Sequence, residues 1–193
     1  MEWPRSISQE DMASLPIRRF DGELRLIATP EDLERESAKV LLERVVGFDT
    51  ETRPAFRKGE SYLPSLVQVA GERVAWIFQL QRVDCSRVLG SLLAAPEIVK
   101  VGVGIAEDLR QLQKLFTFTE AAVLDIGKIG REQGIEQSGL RNLAGIVLRY
   151  RIPKGKRTSN WAAARLTRQQ IAYAAMDAWA ARELYIKLSA TAL

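Results

Sequence analysis

The segment VVGFDTE, residues 45–51, constrains the fold more than any other stretch of the chain. Val45, Val46 and Phe48 read as a buried strand, yet the same strand carries Asp49 and Glu51. Residues two apart in a strand share a face, so Gly47, Asp49 and Glu51 point one way. Val46 and Phe48 point the other way and anchor the strand in the core. Two adjacent carboxylates repel each other, and keeping both ionised beside an apolar core is costly unless a cation neutralises them. On these two residues alone, the alternative is that the strand ends near Gly47 and both acids sit in solvent.

The flanking segments predict the layers around this strand. ELRLIA (23–28) alternates as a strand. TPEDLERESAKVLL then opens a helix, with Thr29 able to cap, Pro30 suited to the first helical position and acids in the first turn. SLVQVAGERVAWIFQL (65–80) reads as a hairpin turning near Gly71. Residues 86–95 read as a helix, IVKVGVG (98–104) as a buried strand and IAEDLRQLQKLF (105–116) as a helix. AVLDIG is a short strand and GLRNLAGIVLR (139–149) a helix. The basic loop RIPKGKRTSNWAAAR leads to a last helix through IAYAAMDAWAARELYIKL, for which Thr167 and Gln170 form a capping box. Three antiparallel-looking strands followed by alternating helix and strand predict an α/β fold, a mixed sheet with helices on both faces. Residues 1–22 read as an irregular N-terminal extension and residues 23–193 as the domain itself.

Composition limits the chemistry. The chain contains no histidine, which excludes Ser-His-Asp and Cys-His catalysis, histidine general bases and the usual histidine-bearing zinc sites. Any metal would be a hard cation held by oxygen. Cys85 is the single cysteine, so no intramolecular disulfide forms. The N-terminus lacks an apolar signal region and no apolar run is long enough to span a bilayer, so a soluble, cytoplasmic protein without a membrane partner is expected. A net charge of +4 mildly favours a polyanionic partner.

Two further acids join the first pair. Asp108 falls in the first turn of the helix after KVGVG, and Asp177 in the middle of an almost wholly apolar helix. Arg182 and Glu183 are better placed than Asp177 to mark that helix's outer surface. Tyr173 lies four residues before Asp177, on the same helical face.

FDTET, VGVGIAEDL and YAAMDA resemble, in order and spacing, the three motifs of the DEDD superfamily of 3′–5′ exonucleases. The Tyr-x-x-x-Asp form of the third motif resembles the tyrosine subclass, which includes Werner-type and ribonuclease D-like domains. The resemblance covers roughly residues 23–188. It implies a ribonuclease H-like sheet. It also implies two-metal hydrolysis from a 3′ end, with Asp49, Glu51, Asp108 and Asp177 holding two Mg²⁺ or Mn²⁺ ions and Tyr173 orienting the attacking water. Such ions prefer carboxylate oxygens and retain several waters, so a sparse four-acid cage suits them. Asp125 is a rival acid at a strand end. The implied partner is nucleic acid with a free 3′ end, DNA ahead of RNA. A non-catalytic module that binds nucleic-acid ends is the alternative of a different class, and the full set of acids counts against it. Arg53, Lys154, Lys156, Arg157 and Asn160 are the candidate substrate contacts, with Arg151, Arg57 and Lys58 nearby. Trp161, Trp179, Gln68 and Trp76 read as structural. The resemblance also implies a stand-alone exonuclease domain.

Overall fold

The computed structural model describes residues 2–57, 59–153, 155 and 159–190. Six strands form one sheet: β1 (Glu23–Ile27), β2 (Val45–Glu51), β3 (Leu66–Ala70), β4 (Val74–Gln79), β5 (Val99–Gly102) and β6 (Val123–Asp125). Their order across the sheet is β1-β4-β3-β2-β5-β6. The helices are α1 (Gln9–Ser14), α2 (Pro30–Val40), α3 (Ser86–Ala94), α4 (Ile105–Leu112), α5 (Ile126–Glu132), α6 (Leu140–Leu143) and α7 (Arg168–Ser189). The fold is the ribonuclease H-like α/β arrangement expected from the sequence. Among the described residues no helix is long and apolar enough to cross a membrane.

β2 lies inside the sheet, antiparallel to β3 and parallel to β5. The three antiparallel strands are β2, β3 and β4, and β1 stands outside that set because it pairs with β4 in parallel. The cause is the connection: helix α2, and not a hairpin, follows β1 and returns the chain to the same end of the sheet. Only β3 runs against the other strands. One face of the sheet presents Val46, Phe48, Val69 and Phe78 to Val40 of α2, Leu89 and Leu92 of α3 and Leu109 of α4. The other face presents Leu66, Ala70 and Ile77 to the alanine-rich side of α7.

Gly47 governs how close α7 comes. A Cβ on Gly47 would sit 1.7 Å from the Ala178 carbonyl oxygen, so a side chain there is incompatible with this crossing. The bare backbone of β2 and the alanines of α7 bring the helix down onto the face that carries Asp49 and Glu51. α7 itself starts as expected, with Thr167 and Gln170 capping each other's backbone N–H groups.

Three readings need adjustment. Residues 2–22 are not merely irregular: they contain α1, capped by Ser8, and they dock on the domain. Trp3 donates to Gln133 (2.9 Å), and the Arg18 N–H bonds the Arg151 carbonyl (3.0 Å). The segment read as a helix over 139–149 is α6 followed by a π-helical turn, Ala144–Leu148, stopped by Arg149 in the left-handed region (φ 60°). α5 was not anticipated; it is capped by Asp125.

Candidate active site

Asp49 and Glu51 occupy the carboxyl end of β2 and face α7. Asp177 projects from the middle of α7 and is 7% exposed. Tyr173 stands one turn earlier on the same helix. Asp108 enters from the first turn of α4, where the Thr50 hydroxyl donates to its Oδ1 at 2.5 Å. Asp49 Oδ1 accepts the Thr50 backbone N–H at 2.9 Å. The four acids and Tyr173 therefore converge from β2, α4 and α7, and the charges of Asp108 and Asp177 raise the proton affinity of both Asp49 and Glu51.

Proton affinities record that convergence. Burial pushes the Asp49 carboxyl well above its usual range, and the charges of Asp177, Asp108 and Glu51 push it further. Glu51 rises to about 8 through burial and the charges of Asp177 and Asp108. Asp108 rises to about 6 through burial, partly offset by the Thr50 hydroxyl. Asp177 rises to about 6 through burial, offset by Tyr173 and the Arg141 charge. Burial and the Asp177 carboxylate raise the Tyr173 phenol, so its proton stays on near neutral pH.

The rival acid is otherwise engaged. Asp125 Oδ1 accepts the Lys128 N–H and Oδ2 accepts the Gly104 N–H, both at 3.0 Å. Gly104 has φ +73° and precedes α4, so Asp125 fixes the turn that presents Asp108. Its role is to hold the backbone.

The residues fit hard divalent cations. The donor set is carboxylate only, the acids resist simultaneous ionisation, and buried Asp177 Oδ1 lacks a hydrogen-bond partner among the described residues. Among the described residues no three acidic, histidine or cysteine side chains stand in ready ligating positions. The fit thus rests on donor chemistry and charge, and Mg²⁺, which keeps several of its waters, does not require a closed protein cage.

Of the candidate substrate contacts, Arg53 and Asn160 are brought together. With Pro54, Phe56, Gln81 and Ala162 they line a cleft of about 320 Å³, and the Arg53 guanidinium lies 4.1 Å from the Tyr62 ring centroid. Lys154, Lys156 and Arg157, with Lys58, lie outside the described residues. Arg151 donates to the Leu15 carbonyl at 2.9 Å, so it secures the N-terminal segment. Trp161 and Trp179 are buried as expected, Trp161 tilted against Tyr173 at 6.1 Å. Trp76 is buried and donates to Glu36 at 3.1 Å. Gln68 is directly opposite Asp49 on β3 and buried, with neither amide atom partnered among the described residues. Arg182 does not mark an outer surface: its side chain is 13% exposed and donates to the Val45 carbonyl at 3.2 Å.

Sequence reasoning missed Arg141. Its Nη2 donates to the Tyr173 hydroxyl at 3.1 Å. Nothing in the helical pattern of GLRNLAGIVLR singles it out, because the contact is tertiary, 32 residues away in the chain.

Residues 24–191 match the family model described as 3′–5′ exonuclease. The chain belongs to that family. It is 30% identical over 200 residues to the exonuclease mut-7 homolog of Homo sapiens, covering 89% of this chain and 23% of that protein. It is 35% identical over 164 residues to ribonuclease D of Gluconacetobacter diazotrophicus, covering 83% of this chain and 41% of that protein. The chain therefore spans less than half the length of either relative. Among solved structures, the Aedes aegypti Nibbler EXO domain superposes with a TM-score of 0.77 at 20% identity, covering 91% of both chains. Escherichia coli RNase D gives 0.73 at 20% identity, covering 88% of this chain and 46% of that one. These superpositions match the mixed-sheet fold described above.

Proposed function

We propose that this chain hydrolyses nucleic acid from a free 3′ end, releasing nucleoside 5′-monophosphates, with two Mg²⁺ or Mn²⁺ ions held by Asp49, Glu51, Asp108 and Asp177. The observation that carries this reading is the convergence of four carboxylates, all with raised proton affinity, beside a neutral tyrosine. When bound, the ions would acidify water and neutralise charge on the scissile phosphate and the leaving 3′ oxygen. Tyr173, neutral at rest, would position the attacking water by hydrogen bonding. The water oxygen bonds to phosphorus, the P–O3′ bond breaks, and the shortened strand keeps a 3′ hydroxyl. Arg53 and Asn160, which line one cleft, would meet the substrate strand, and Lys154, Lys156 and Arg157 would add contacts to its phosphates.

The sequence expectation puts DNA ahead of RNA. The relatives named ribonuclease D favour RNA as a second reading. Incubation of 5′-labelled single-stranded RNA, single-stranded DNA and recessed-end duplex, each with Mg²⁺, Mn²⁺ or EDTA, tests both. The expected result is a ladder shortening from the 3′ end only when metal is present. A sustained ladder in EDTA would reject the mechanism, and comparison of the RNA and DNA rates would decide the substrate.

A further inference from the structure

We propose that Arg141 is a positioning residue that fixes the direction of the Tyr173 hydroxyl; this rests on the reading of Tyr173 as the group that orients water. A phenol has one proton to donate and lone pairs to accept with, whereas a guanidinium only donates. Arg141 Nη2 lies 3.1 Å from the Tyr173 hydroxyl, so it occupies a lone pair and the phenol proton must point elsewhere. The remaining direction is the side of Asp177, whose carboxylate bears on the phenol. Without Arg141 only the hydrogen bond to the Asp177 carboxylate would set the direction of the hydroxyl.

The surroundings make Arg141 suited to this task. Nη2 also donates to the Pro153 carbonyl at 3.3 Å, which ties the guanidinium to the basic loop. Trp161 packs on the Tyr173 ring, and the loop backbone at Gly155 lies so close that a Cβ there would meet the ring at 2.5 Å. The ring is therefore held by packing, and only the hydroxyl rotor is left to set. Among the described residues no carboxylate forms an ion pair with Arg141, so its donors are not drawn away from the phenol. A cleft of about 320 Å³, lined by Arg141, Asn142, Tyr173 and Asp177, opens beside the hydroxyl, with room and polar partners for water.

The test is a double-mutant cycle of Arg141→Met with Tyr173→Phe, read by single-turnover hydrolysis and by equilibrium binding of the same 5′-labelled oligonucleotide. Hydrogen-bond partners that orient metal ligands typically matter by roughly 10–100-fold, and the low end of that range is expected for a partner of a water-orienting phenol. Arg141→Met should slow hydrolysis about tenfold with binding changed less than about twofold. In the Tyr173→Phe background it should slow hydrolysis less than about twofold, because the hydroxyl it acts through is gone. In metal-free protein carrying [ζ-¹³C]tyrosine, the Tyr173 resonance should shift on Arg141→Met. Arg141→Leu, which likewise lacks a donor, replaces Met if a melting curve shows that Met perturbs folding. An equal loss in both backgrounds, a loss in affinity instead of rate, or an unmoved Tyr173 resonance would overturn the proposal while leaving Tyr173's role intact. Wild-type turnover by Tyr173→Phe alone would overturn the parent reading, and this inference with it.

Discussion

At the scale of single residues, Tyr173 separates hydroxyl chemistry from packing. Its ring is fixed by Trp161, so Tyr173→Phe should leave the fold and substrate affinity intact. Single-turnover hydrolysis should fall about 10²-fold, the low end for loss of a proton-handling group, because the metal does most of the work of acidifying water. Wild-type hydrolysis by that variant would make Tyr173 a packing residue. Asp49→Asn and Asp177→Asn each remove a ligand charge while keeping shape. Activity should drop by orders of magnitude, whereas metal-free thermal stability should hold or rise, since mutual repulsion among the acids eases. A lowered melting temperature in EDTA for both variants would contradict the electrostatic account. Asp49, Glu51 and Asp177 stood out in the sequence because carboxylates on a buried strand and in an apolar helix break the local pattern, whereas Asp108 and Tyr173 were singled out by the resemblance of their motifs. Arg141 was not, because an arginine on a short helix breaks none, and Asp125 was ambiguous until both its oxygens were found on backbone N–H groups.

At the scale of elements, the site depends on α7 crossing β2 without a side chain between them. Gly47→Val would push a branched side chain into the Ala178 carbonyl, a backbone atom that cannot rotate away. The cost should be about 3 kcal/mol or more, at or above the upper end for overpacking, and should appear as a lower denaturation midpoint. An unchanged midpoint would show that α7 can shift without penalty. The long periodic elements, β2, the β3–β4 hairpin and α7, were readable because pattern and packing agree in them. The parallel docking of β1 was not, since strand direction follows from the path of the crossover helix. The seven-residue α5 is too short to show a helical period, and its signal is the cap Asp125, which also looked like a candidate ligand.

At the scale of the whole molecule, the buried acids link stability to pH. Asp108 and Asp177 rise to about 6 and Glu51 to about 8, above their values in an unfolded chain. The folded protein therefore binds more protons than the unfolded one between about pH 4 and 8, and metal-free stability should fall as pH rises through that window. Denaturant unfolding in EDTA at pH 5 and 7.5 should show the higher stability at pH 5. Mg²⁺ should reduce the difference by stabilising the ionised cluster at pH 7.5. Stability that rises from pH 5 to 7.5 in EDTA would mean that burial does not raise the proton affinity of these acids in the folded protein. The central claim, that these acids bind the ions needed for hydrolysis, is tested most directly by titrating Mg²⁺ into metal-stripped wild-type and Asp177→Asn protein and following release of nucleoside 5′-monophosphate from uniformly labelled RNA. The account predicts no release by wild type in EDTA, saturable release with Mg²⁺, and rates lower by orders of magnitude for Asp177→Asn at every Mg²⁺ concentration. Wild-type turnover in EDTA, or an Asp177→Asn curve that overlays the wild type, would contradict it.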